Sequence, residues 1–540
     1  MGEAAREFEG RENSSMTSDG SVRSVLERRA SKEIILAFMG AVGCGLPRIV
    51  TEFERQLGGL GYQVQRIKLS DFIKSRRSEW IGALSGPDAG VSYLENQTGG
   101  NVLRNNHSFD ILAQYAVSHI ARSKIAADAE AIDPAKELPR VAYLIDQIKH
   151  PDEALLLRLV YRNLFYLVGV LSTEEHRLSR LMDQGLSDDI AKRVKERDRK
   201  EAENNGQQLE KAFKLADYFI QHPFGVENIV EDQISRFLKL AHGNNGITPT
   251  KHEHAMYVAH ASGLKSACFS RQVGAAIVDA SNKVIAVGCN DVPQYGGGLY
   301  SVESTKDNRC AYWGDRICEN DHQKDVRKEA IKLNVEREFG KLLENIKDED
   351  IRKAIIEKME TVIDVAYKSS GLPEIIEFSR AVHAEMDAIV SVAREGAAST
   401  VGATLYTTTF PCHNCARHIV AAGIDSVYYI EPYEKSLAVT SHSDSIIVLD
   451  HDGSEKISRK SDVDPTKMVK FIHFAGVAPR IYTKFFQRDK RKGKDGRFLE
   501  WGETEVKSKI MVEFLDSYRD FEAKVTQKFE EEFPVGPQPA

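Results

Sequence analysis

No run of about 18 apolar residues, the length a membrane-spanning helix needs, occurs anywhere in the 540-residue chain. The chain opens MGEAAREFEGRENSS, with acids where a secretory leader needs a basic start and an apolar stretch. Cysteine is scarce. Seven residues, an odd number, do not make a disulfide framework at this length and fit a reducing cytoplasm. Glycine (38) and proline (16) are too few for a collagen-like or low-complexity protein. Charge of one sign does not dominate either. The 73 Lys and Arg against 80 Asp and Glu leave a net charge of −7, with no global pull toward nucleic acid. What is present is ordinary globular material, 42% hydrophobic and 28% charged, ample for more than one core. At about 150 residues per domain the length suggests about two to four domains.

Residues 1–30 are charged and serine-rich and read as a flexible tail. Apolar runs at Ile34 to Met39, Val141 to Ile145 and Phe165 to Leu171 read as buried strands. Between them lie stretches of helical spacing, such as Phe109, Leu112, Ala113, Tyr115 and Ala116. Strands alternating with helices predict βα units and a parallel sheet over residues 31–240. A second regime starts near Pro249. Val273 to Asp279 and Lys283 to Gly288 flank Ala280-Ser281-Asn282, a turn signal, and read as a β-hairpin. Residues 303–378 form a polar helical insert. Within it Ile351, Ala354, Ile355, Met359, Val362 and Ile363 give one apolar face. Helix 383–395, strand 403–409, helix 412–422 and strand 426–431 come next. The second domain is set at 250–500, and a C-terminal helical extension at 501–540.

The most specific pattern is His383-Ala384-Glu385, followed 26 residues after Glu385 by Pro411-Cys412-His413-Asn414-Cys415. Two cysteines three apart at a helix start can both reach one ion. Proline costs no hydrogen bond in a first turn, and helix-start N–H groups favour thiolates. A histidine from a neighbouring helix start makes a third ligand and leaves a fourth position for water, the mark of a catalytic zinc. Zinc brings that water's pKa toward neutrality. Glu385, two residues from the ligand, can touch the water without binding the metal and so shuttle its proton. H-x-E followed by P-C-x-x-C is the signature of zinc nucleobase deaminases. Neither half is specific alone. A redox C-x-x-C gives His383 no role, and a structural zinc wants a second pair that His413 and His418 do not supply.

Cys310, Cys318 and His322, with Cys268 or Cys289, are candidates for a second zinc. Their spacing is irregular, and free buried cysteine is the commoner fate, so a single catalytic ion is expected. Upstream, Gly40-Ala41-Val42-Gly43-Cys44-Gly45 follows a strand, and Pro47 suits the first turn of a helix. Such a loop offers backbone N–H groups to phosphate. A P-loop needs Lys then Ser or Thr after its last glycine, where this chain has Leu46 and Pro47. Arg48 is the nearby cation that could compensate, and Asp146 stands where a Walker-B acid would close its strand. A tight strand–helix turn with no ligand is the plain alternative.

Residues 250–500 resemble a deoxycytidylate deaminase domain of the cytidine deaminase superfamily. Ser270 to Ala275, Gly288 to Asp291 and Ile430 to Ser436 match its first strand, its nucleoside-contacting segment and the stretch after its fourth strand. The resemblance implies a mixed sheet with helices on both faces. It implies Ala384, Asn290, Arg271, Tyr433 and Lys435 as substrate contacts; the plain alternatives are a surface charge for Arg271 and a core tyrosine for Tyr433. Residues 31–240, with 174–218 (Glu201, Gly206-Gln207 and Ala216-Asp217-Tyr218) like the lid of nucleoside monophosphate kinases, resemble a P-loop kinase fold with an altered signature. It would bind a nucleotide at Gly40, Gly43, Gly45 and Arg48. Together the halves resemble the antiphage deoxycytidine triphosphate deaminases of bacteria.

That resemblance implies a cytoplasmic zinc enzyme converting dCTP, and sometimes dCMP, to uridine forms. It also implies a homo-oligomer, a regulatory nucleotide and, in some members, an inhibitory small RNA. The same zinc and glutamate would serve a polynucleotide cytosine or adenine deaminase. The net charge and the lack of an aromatic-basic stripe speak against that. A nucleotide-sensing regulator gated by the first half is a third reading, compatible with the first.

Overall fold

The computed structural model describes residues 30–83, 91–130, 139–199, 208–223, 227–344, 346–432, 436–449, 467–487, 491–498 and 513–534. The tail 1–30 lies outside them except for Ala30. The chain divides into two compact units, Met1–Thr248 with Ala475–Ala540, and Pro249–Phe474. The second unit therefore ends before residue 500, and the chain from Ala475 onward belongs with the first. The sequence pattern could not give this boundary. The returning segment joins the first unit through a strand of two residues, Gly476–Val477, too short for any periodicity.

The strands of the first unit are β1 (Ile34–Gly40), β2 (Gln63–Lys68), β3 (Val141–Ile148), β4 (Phe165–Leu171), β5 (Tyr218–Gln221) and, after the second unit, β12 (Gly476–Val477). They form a sheet of order β12-β5-β4-β1-β3-β2, parallel except for the β12–β5 pair. Every residue of β1 and β4 is buried, as continuous apolar runs in a two-sided sheet require. Phe38, Phe53 and Phe237 stack edge to face at 5.1 and 5.8 Å in the core. The chain crosses to one side of β1 for β2 and β3 and to the other for β4 and β5. The carboxyl end of β1, at Gly40, is thus the point where strand order reverses.

The helix Leu515–Glu532 packs on the helix Ile111–Glu130. Their contact holds a buried ionic cluster. Lys124 Nζ lies 2.8 Å from Glu33 and 2.5 Å from Glu522, and Tyr518 donates to Glu33 at 2.9 Å. Lys124→Met leaves two buried carboxylates without their cation and is expected to destabilise the first unit by about 3–5 kcal/mol. A urea melt reads this; an unchanged midpoint contradicts it.

The strands of the second unit are β6 (Gly274–Val278), β7 (Val284–Cys289), β8 (Thr404–Thr409), β9 (Ser426–Glu431), β10 (Ile446–Leu449) and β11 (Val469–His473). Their order is β10-β11-β9-β8-β6-β7. β6 pairs antiparallel with β7 and β8, and the other pairs are parallel. Alternation sorts the two faces. Ile277, Leu405, Val427 and Tyr429 face a core shared with the helices Ala384–Glu395 and His413–Ala421. On the other face, Tyr406 stacks with Tyr428, and both lie against His252 of the helix Lys251–Gly263.

The insert forms the helices Glu319–Leu343 and Glu349–Ser369, which pack on each other. The expected apolar face is only partly covered, because Ile363 is buried while Ile351 and Val362 are exposed. Among the described residues no helix is long and apolar enough to cross a membrane.

Candidate metal centre and pocket

Two helix starts bring the three candidate ligands together. His383 caps the helix Ala384–Glu395 in extended conformation (φ −82°, ψ 156°), and Cys412 caps His413–Ala421 in the same way (φ −69°, ψ 166°). Cys412 Sγ accepts from the Cys415 N–H at 3.4 Å, closing the first turn. Pro411 precedes this cap, so its missing N–H falls outside the helix and not in its first turn as the spacing suggested.

His383 Nδ1 lies 3.2 Å from Cys412 Sγ and 3.4 Å from Cys415 Sγ, and the three ligand atoms are all within 4.8 Å of one another. Zinc with nitrogen at about 2.0 Å and sulphur at about 2.3 Å, at the tetrahedral angle, needs about 3.5 Å between those atoms. The donor set and its spacing fit that ion. The hydrogen bond from Cys415, with His383 beside it, holds the Cys412 thiol below its ordinary value. Its bond to Cys412 in turn raises His383. A thiol held low is a ready metal ligand.

Glu385, 4% exposed, sits one residue into the same helix. Its Oε2 is 3.4 Å from Cys415 Sγ, and its Oε1 accepts from Thr407 Oγ1 at 3.4 Å. Burial pushes its carboxyl above the usual range. The helix can lie this close to the sheet because β7 carries Gly288. A Cβ there would stand 2.1 Å from the Ala384 carbonyl oxygen and 2.6 Å from the Ala388 nitrogen. Gly288→Ala must push that helix start away and with it His383 and Glu385. The expected result is impaired zinc retention and a lowered melting temperature, read by metal analysis and calorimetry. Wild-type values for both would contradict it.

The three ligands and Glu385 stand at or beside a cavity of about 240 Å³, whose lining includes His383, Glu385 and Cys412. Ala384, Asn290 and Arg271 line it too. Asn290 is also a strut. Its Oδ1 accepts from the Val273 N–H at 2.7 Å, and its Nδ2 donates to the Arg271 carbonyl at 2.8 Å. Arg271 is exposed, with Nη1 3.6 Å from Glu431. Tyr433 and Lys435 lie outside the described residues. Sequence reasoning missed Thr407, Phe410 and the insert residues Asn320 and Lys324. Inward alternation along β8 could have signalled Thr407, but nothing local marks an insert residue as part of a distant pocket.

In the first unit, Gly43 (φ 81°) and Gly45 (φ 82°) take left-handed conformations open to glycine, and Gly45 caps the helix Leu46–Gly59. The turn is tied down by the chain itself. The Val42 N–H donates to Asp198 Oδ2 at 2.6 Å, and Lys149 Nζ bridges Asp198 Oδ1 and the Gly40 carbonyl at 2.5 and 2.9 Å. Arg48 is exposed and lines a groove with Thr51, Glu52 and Glu231. Asp146 lies within β3 rather than closing it, and Arg66 pairs with it at 2.6 Å.

The family profile described as "Cytidine and deoxycytidylate deaminase zinc-binding region" matches residues 249–431. The chain is 45% identical over 56 residues to ComE operon protein 2 of Bacillus subtilis (strain 168). It is 46% identical over 55 residues to the deoxycytidylate deaminase of Enterobacteria phage T2. Each match takes in 10% of this chain and 29% of the relative, so the chain spans under a third of these curated relatives. A crystal structure of the dCMP deaminase from cyanophage S-TIM5 aligns at 15% identity and a TM-score of 0.20, over 42% of this chain and 99% of that one. The second unit thus carries a cytidine and deoxycytidylate deaminase-like zinc-binding domain, with His383, Cys412 and Cys415 as its candidate zinc site.

Proposed function

We propose that the chain is a zinc-dependent hydrolase that deaminates free deoxycytidine nucleotides, dCTP and also dCMP. The observation that carries this reading is a buried carboxylate, Glu385, beside a His-Cys-Cys triad at the edge of a cavity that His383, Glu385 and Cys412 line. Zinc held there supplies a water whose pKa is brought toward neutrality. Glu385 takes a proton from the water attacking C4 of cytosine and passes it to the ring nitrogen. It then takes the proton of the hydroxyl now on C4 and gives it to the leaving amine as the C4–N bond breaks, so the products are a uracil deoxynucleotide and ammonia. The Ala384 N–H and Asn290 hold the base and sugar. Depletion of a DNA precursor is the role that the antiphage resemblance assigns to such a reaction.

For the first unit we infer nucleotide binding at the Gly40–Gly45 turn, with gating of the second unit as its use. The place of that turn at the strand-order reversal supports this reading. An incoming phosphate has to displace the Asp198 carboxylate from the Val42 N–H.

Purified zinc-loaded protein, offered dCTP, dCMP, CTP and a cytosine-containing single strand separately, tests the reading. Conversion of dCTP or dCMP without the strand supports it. Conversion of the strand alone replaces it with nucleic-acid editing. No conversion of any substrate by zinc-loaded protein defeats it.

A further inference from the structure

The helix Glu319–Leu343 belongs to the insert and not to the sheet that carries the zinc ligands, yet its first turns form one wall of the cavity. Asn320, Asp321 and Lys324 all line it. Lys324 follows Asp321 by three residues and Asn320 by four, spacings that share one side of a helix. Two contacts pin that side to the segment leading into His383. Asn320 Nδ2 donates to the Ile375 carbonyl at 3.2 Å, and the Arg327 guanidinium lies 3.9 Å from the centre of the Phe378 ring. The insert wall is thus held by the same residues that lead to the candidate metal centre.

Lys324 stands out on this wall. Its side chain is only 16% exposed, and its nearest acid among the described residues is Asp321, at 4.0 Å and 67% exposed. A pair at that distance, half in solvent, contributes little. Its mostly covered stem and this weak partner leave the charged end to be completed by an anion. Lys324 lines the same cavity as His383 and Glu385. Arg271 lines the same cavity, 42% exposed, from the segment before β6. Two cations thus reach one cavity from separate parts of the fold.

Resting on the deaminase reading above, we propose that Lys324 binds the 5′-phosphate of the substrate nucleotide. On this view the insert supplies the residue that distinguishes nucleotides from the bare nucleoside. An ammonium with three donors suits a phosphate as a point charge, without demanding one orientation of it. No bond to Lys324 forms or breaks; it is a specificity-determining residue.

The test is steady-state deamination of dCMP, dCTP and deoxycytidine by the zinc-loaded full chain, as wild type, Lys324→Ala and Lys324→Arg. Lys324→Ala should raise KM for both nucleotides about ten- to a hundredfold, the loss of a charged hydrogen bond, with little change in kcat. Its kcat/KM for deoxycytidine should stay at the wild-type value, and Lys324→Arg should recover most of the nucleotide KM. An unchanged nucleotide KM overturns the proposal, as does an equal loss with deoxycytidine, which marks a merely structural role. If zinc-loaded wild type turns over none of the three, the deaminase reading fails on its own. Calorimetric titration of the same proteins with dCMP and deoxycytidine then decides Lys324. Weaker binding of dCMP alone upholds it, and equal binding of dCMP by wild type and Lys324→Ala refutes it.

Discussion

Glu385→Gln is expected to lower deamination by about a hundred- to ten-thousandfold, the usual worth of a positioned acid–base group, while zinc content stays at the wild-type level. Glutamine keeps the size of the side chain and can still accept from Thr407 Oγ1 through its amide oxygen. It cannot take a proton from water or return one to the amine. The three candidate ligands are His383, Cys412 and Cys415, so the substitution leaves the donor set whole. Metal analysis and ammonia release on the same sample separate the two effects. Retained activity would remove Glu385 from the chemistry, and lost zinc would mean that it helps hold the ion.

Cys412 substitutions carry the second large effect, because this residue has two jobs. Its sulphur is a candidate zinc ligand, and it also caps the helix His413–Ala421 by accepting from the Cys415 N–H. Serine preserves the cap and removes the thiolate, whereas alanine removes both. Both variants should bind almost no zinc and show no measurable deamination. Alanine should be less stable than serine by about 1 kcal/mol, the usual worth of an N-cap. Zinc content by metal analysis and the difference between urea midpoints check the two parts. A full complement of zinc in Cys412→Ser contradicts the ligand assignment. Equal midpoints for the two variants contradict the cap.

Much of the second unit was legible because its chemistry is local. His383, Glu385, Cys412 and Cys415 sit at fixed short spacings beside helix starts, and a metal needs those residue types at those spacings. The strand runs of β1, β3 and β4 were legible for a similar reason, since a sheet buried on both faces demands unbroken apolar residues. The features that escaped depend on contacts distant in sequence. Gly476–Val477 becomes a strand only because β5 offers an edge. Lys324 looks like one more surface charge on a polar helix until Asn320 and Ile375 bring that helix to the cavity. Asp198 sits in a charged stretch that gave no hint of its bond to the Val42 N–H in the glycine turn. Asn290 read as a nucleoside contact, and its place as a strut between Arg271 and Val273 appears only in the fold.

Ammonia and uracil nucleotide should be measured together from dCTP and dCMP, with zinc-loaded wild type and Glu385→Gln side by side. Equal amounts of the two products from the wild type, with almost none from Glu385→Gln, are the predicted result. A wild type that holds zinc and releases no ammonia, or a Glu385→Gln protein that matches it, would contradict the assignment of this site as a deoxycytidine nucleotide deaminase.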